Sequence, residues 1–135
     1  MTGRSTRRGA TARRQVALWL GVAALGMAGA LPAHAATVTN VGCGPTAGAD
    51  LVAAITGAAP GDTLVLADYC VYTLTGAASG DDGLPPIDEL LTIQGHHATI
   101  QRSPSTANRF RVLDVAAGGH VIADNLTIMN GAPPD

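Results

Sequence analysis

Apolar residues fall into three rhythms along the chain. The first is an unbroken run, Val16 to Leu31, of sixteen residues. The second has a helical spacing: Leu51, Ala54, Ile55 and Ala58 sit at i, i+3, i+4 and i+7, one face of a short helix. Small polar residues from Thr46 to Asp50 are suited to its start, and Pro60-Gly61-Asp62 ends it and turns the chain. The third rhythm is that of strands. Thr63 to Ala67 is almost continuously apolar, which predicts a strand buried on both sides or at a seam. Val71 to Thr75 is β-branched and aromatic. Leu91 to Gly95 alternates, with Leu91 and Ile93 inward and Thr92 and Gln94 outward, and Ala98 to Arg102 alternates again after a His96-His97 corner. A further strand is expected over Phe110 to Val115 and another from Val121, after a Gly118-Gly119 turn. Gly76 to Pro86 reads as a loop.

The unbroken run belongs to a leader. It follows a basic segment without acids and precedes Pro32 and Ala33-His34-Ala35, with small residues at −3 and −1. Sixteen residues fall short of the ~18–20 that a membrane-spanning helix needs. Residues 1–35 therefore read as a signal peptide cleaved between Ala35 and Ala36, and 36–135 as the exported domain. Arg13-Arg14 raises the twin-arginine route, but Ala12 and Val16-Ala17 fit that motif poorly. A cysteine pair that oxidises after export suits general secretion better.

Charge divides with the leader. The chain's net charge is −2, yet five of its eight basic residues lie in the first fifteen positions and none is lysine. Residues 36–135 hold three arginines, Arg102, Arg109 and Arg111, against all ten acids, a net charge of −7. This argues against nucleic acid as a partner. Cys43 and Cys70 are the only cysteines. In an exported chain an isolated pair most simply makes a disulfide, closing a loop worth roughly 3–4 kcal/mol in the chain-entropy account. A metal or redox pair is the alternative, but no partner His or Cys spacing supports it.

Leu91-Thr92-Ile93-Gln94-Gly95 is echoed thirty-five residues on by Leu126-Thr127-Ile128-Met129-Asn130-Gly131. An echo at such a period suggests stacked repeats. Taken in order, Cys43, Leu51 to Ile55, Pro60 to Ala67, Tyr72 to Thr75, Gly83-Leu84-Pro85, Leu91 to Gly95, Ala98 to Ile100 and Asn125 to Gly131 resemble the start of secreted bacterial right-handed parallel β-helix proteins of the pectin-lyase-like group. The text after Cys43, Gly44-Pro45-Thr46, departs from the charged phrase many relatives carry there. The resemblance implies a mostly β right-handed solenoid begun by a short capping helix. It also implies that the chain is the leading part of something longer, because about three repeats and a cap are needed for stability. Two functions follow as expectations. One is a non-catalytic scaffold that binds extracellular polysaccharide or cell-surface components. The other is the leading part of a polysaccharide lyase or glycoside hydrolase whose active site lies beyond residue 135. No catalytic residue, cofactor or metal ligand is assigned.

Several polar groups could nonetheless carry chemistry. Asp81, Asp82, Asp88 and Glu89 could supply oxygens to calcium, though their spacing matches no known loop and a solvated turn is the simpler reading. His96, His97 and His120 lack metal-site spacing and read as turn residues. Asp114 and Asp124 could act as a carboxylate pair, but sequence gives no separation between them. Asn125-Leu126-Thr127 is formally a glycosylation sequon; a corner asparagine bonding the backbone is the better reading. With Tyr69, Tyr72 and Phe110 the only aromatics after the leader, sugar stacking has few platforms. The exported product is predicted to begin at Ala36. N-terminal sequencing of secreted protein checks this, and a product starting at Met1 or Thr2 contradicts it.

Overall fold

In the computed structural model of the chain, residues 33–135 are described. The basic segment and apolar run read as a leader lie, up to Pro32, outside them. Five strands and one helix follow one another: β1 (Val38–Val41), α1 (Ala47–Thr56), β2 (Thr63–Leu66), β3 (Val71–Leu74), β4 (Leu90–Arg102) and β5 (His120–Met129). Every strand pairing is parallel. The thirteen-residue β4 is the centre. Its first half pairs with β2 through Thr92, Ile93 and Gln94, and its second half with β3 through Thr99 to Arg102. β5 pairs with both halves and so must occupy the opposite edge. β1 extends the sheet beyond β2.

The inside of this curled sheet is the core. Leu64, Leu66, Leu91, Ile93, Ala98 and Ile100 are buried, as their alternation predicts. β2 departs from the continuous burial expected of it. Thr63 and Val65 are only half-buried, because that side of the strand is not covered as fully as the core side. Helix α1 packs against β1 and β3 and buries Leu51 and Ile55. Its approach is close: a Cβ on Gly48 would collide with the Thr73 carbonyl, so no larger residue fits there without displacing the helix. The Cys43–Cys70 disulfide is formed, with Cα atoms 5.7 Å apart, and it ties the end of β1 to the start of β3. Beside it, Tyr72 is fully buried. Its hydroxyl donates to the Val41 carbonyl at 2.7 Å and accepts the Ala67 N–H at 2.9 Å.

The right-handed β-helix expected from the resemblance is not the fold. The described strands form one curled parallel sheet with a short helix, and two observations remove the basis for a solenoid. First, the thirty-five-residue echo is not a pairing register. Leu91 lies beside Val121, and Leu126 lies beside Ala98. Side-chain contacts between neighbouring strands recur instead at an offset of 28 residues, as in His96–Asp68, Gln101–Thr73 and Asn125–His97. Second, the strand expected over Phe110 to Val115 does not form. That segment has only isolated bridges, Asp82 with Arg111 and Ile87 with Val115. Its apolar residues Phe110 and Val112 are buried, but they pack as a loop. The echo reflected common strand vocabulary rather than stacked units.

Asp62 fastens the entry to the sheet. Its carboxylate is buried, and it accepts the Thr37 N–H at 2.7 Å, the Ala59 N–H at 3.0 Å and a hydrogen bond from His34 Nε2 at 3.2 Å. The Thr37 amide, then the Ala59 amide, holds the acid far below the ordinary aspartate value of 3.8, against the opposing effect of burial, with Thr37 and His34 side-chain contacts adding to the lowering. Cleavage before Ala36 would remove His34 and leave both amides. A carboxyl depressed on folding stabilises the folded state above its unfolded pKa, and that contribution disappears as pH falls towards the folded value. Asp62→Asn is therefore expected to lower the melting temperature at neutral pH and to flatten the loss of stability below about pH 4. Thermal melts from pH 7 to pH 2 measure both effects. A variant whose acid profile overlays that of the unmodified protein contradicts the assignment.

Candidate functional site

The corners of the sheet bring polar residues together. β4 bends at His96 and His97, with φ of 49° and 64°, and β5 bends at Asn125, with φ of 52°. Histidine and asparagine are among the side chains that tolerate this left-handed region best. The β2–β3 connection bends at Tyr69, with φ of 54°. A bulky aromatic in that conformation is uncommon, and such strain is concentrated at functional positions. Between β4 and β5 the register shifts, so that Gly95, His96 and His97 stand opposite Asn125 alone. Gly95 makes this possible, since a Cβ there would press into the Asn125 backbone.

The three bends lie side by side and line a shallow cavity of about 390 Å³ bounded by Asp68, Tyr69, His96, His97, Asp124 and Asn125. The Tyr69 N–H donates to the His96 carbonyl at 3.0 Å, and the tyrosine ring stacks on His97 with centroids 4.9 Å apart and an interplanar angle of 15°. The phenol ring stays open to solvent, the residue being 74% exposed. His96 Nδ1 donates to Asp68 Oδ1 at 2.9 Å, and Asn125 Nδ2 donates to His97 Nε2 at 3.3 Å. The result is an aromatic face held in place by its backbone and a stacked imidazole, flanked by two carboxylates and an amide.

The other candidate residues are placed elsewhere. Asp82 is buried and accepts from Arg111 Nε at 2.6 Å, so it is half of an ion pair and not the solvated turn residue expected. The hydrogen bond Arg111 donates to Asp82, then the charge of Asp82, raises the Arg111 pKa, opposed by burial and aided by Asp114 and Asp81. Asp88 and Glu89 border a separate depression with Ile55, Pro85 and Leu91. Asp114 acts on Arg111 while Asp124 lines the corner cavity, so the two do not form a carboxylate pair. His120 opens β5 rather than sitting in a turn, and its N–H donates to the Glu89 carbonyl. Asn125 is a corner residue, as expected, but its amide bonds His97 rather than the backbone.

The three arginines among the described residues are all engaged. Arg102 donates to the carbonyls of Asn130, Thr106 and Asn108, securing the 103–108 loop. Arg109 makes a two-pronged contact with Asp135, and Arg111 holds Asp82. Among the described residues, no three His, Cys, Asp or Glu side chains are grouped so as to hold a metal ion, and no helix is long and apolar enough to cross a membrane. The chain matches no protein family, no curated protein and no solved structure.

Sequence reasoning identified His96, His97 and Asn125 as corner residues but missed Asp68 and Tyr69 as their neighbours. The usable signal was the spacing: Tyr69, His97 and Asn125 follow one another at 28-residue steps. Gly95→Ala is expected to force β4 and β5 apart at this bend, costing about 1–3 kcal/mol. Denaturant titration measures the loss, and an unchanged midpoint contradicts the close approach.

Proposed function

We propose that this protein is an exported, non-catalytic scaffold that binds extracellular polysaccharide or a cell-surface glycan through the corner cavity. The observation that carries the reading is Tyr69, a solvent-open ring held in an uncommon backbone conformation among hydrogen-bonding groups. Ring faces of this kind pack against the apolar face of a sugar, while neighbouring carboxylates and amides take its hydroxyls. The disulfide supports an oxidising compartment, and the leader-like N-terminal sequence supports export.

The commitment of each arginine among the described residues to a structural contact also favours binding over cleavage of uronate chains. Such cleavage requires a cation or hydrogen-bond donor aimed at developing negative charge. The purified exported protein should be retained on insoluble cell-wall polysaccharide without releasing new reducing or unsaturated ends. Tyr69→Ala should lose that retention while keeping its circular dichroism spectrum. Release of new ends by the unmodified protein, or retention indifferent to Tyr69, contradicts the proposal.

A further inference from the structure

Resting on that reading, we infer that the corner cavity selects neutral glycans and rejects uronate and sulfated ones. Charge at the site decides between neutral and acidic polymers. Asp68 and Asp124 line the cavity together with Tyr69, and no arginine is among the lining residues. The chain has no lysine to supply a cation, and each arginine among the described residues is held by carbonyl or carboxylate oxygens of its own loop or neighbour. Residues 36–135 as a whole carry a net charge of −7, these two acids included. An anionic sugar laid on Tyr69 would bring its carboxylate towards Asp68 and Asp124, in a cavity without arginine or lysine whose His96 imidazole is already engaged by Asp68.

A neutral pyranose meets the opposite situation. Its hydroxyl hydrogens find acceptors in the carboxylates of Asp68 and Asp124, and hydrogen bonds to ionised acceptors are the stronger kind. Its C–H face covers the Tyr69 ring, which is already positioned by the His97 stack and by its own N–H bond to His96. Little ordering remains to be done on binding, which favours affinity in a shallow site. Asn125 can orient a further hydroxyl through its side-chain oxygen while its Nδ2 remains on His97. The recognition is polar and aromatic rather than ionic, so it is insensitive to salt.

Affinity electrophoresis through gels containing xylan, glucomannan, soluble β-glucan, polygalacturonate, alginate or chitosan tests the inference directly. The unmodified exported protein is expected to be retarded by at least one neutral glycan, equally at low and high salt, and not by polygalacturonate or alginate. Tyr69→Ala should weaken that retardation about ten-fold. Asp68→Asn with Asp124→Asn should weaken neutral binding severalfold and relieve exclusion of the acidic polymers. Retardation by polygalacturonate or alginate alone overturns the ligand class and leaves the scaffold reading standing. Salt-sensitive retardation by chitosan alone also overturns it, in favour of a cationic ligand. Retardation by none of the six overturns both readings.

Discussion

Everything in the described part of the chain hangs on the pairing of β4. This one segment is hydrogen-bonded to β2 and β3 along one edge and to β5 along the other. Parallel neighbours cannot be joined by tight hairpins, so each pairing forces a long connection. The α1 helix, the Gly76–Pro86 loop and the 103–119 segment are those connections. Because side chains alternate along a strand, a slip of one residue in β4 would turn Leu91, Ile93, Ala98 and Ile100 out of the core together. The register is consequently fixed by burial, and the corners are fixed with it.

The function proposed for the corner follows from the same constraint. A bend in β4 at His96-His97 must be accompanied by bends in its neighbours, or the parallel pairing on either side would be lost. Residues that tolerate left-handed backbone, His and Asn, satisfy this at two of the bends. Tyr69 satisfies it at the third despite its size, with its ring supported by His97. The polar cavity is thus a by-product of sheet geometry in its position, while its chemistry depends on side chains that the geometry alone does not require. Asp62 at the start of β2, and the disulfide and Tyr72 next to the corner, bind the first strand to this sheet.

Local order was readable from the sequence, and long-range order was not. The helix, the alternation of Leu91 and Ile93, and the turn nature of His96 and His97 followed from periodicity and turn chemistry, and the pairing of Cys43 with Cys70 followed from their being the only two cysteines. Strand β1 escaped notice because three of its four residues are exposed, so it carries no burial pattern. Phe110 to Val115 looked like a strand because apolar content reports burial, and these residues are buried in a loop as readily as in a sheet. The solenoid was suggested by the repeated Leu-Thr-Ile phrase, but parallel register is set by core packing, and the phrases do not pair. The site needed that same register: Asp68-Tyr69, His96-His97 and Asn125 share no motif and meet only through the 28-residue offset.

The parallel register of β4 is measured most directly by cross-strand nuclear Overhauser effects on isotopically labelled protein. Backbone contacts joining Thr99 to both Val71 and Thr127, and Leu91 to Val121, are predicted from the pairing. Contacts joining Leu91 to Leu126, the alignment implied by the repeated phrase, would contradict the account of the fold and dissolve the corner cavity with it.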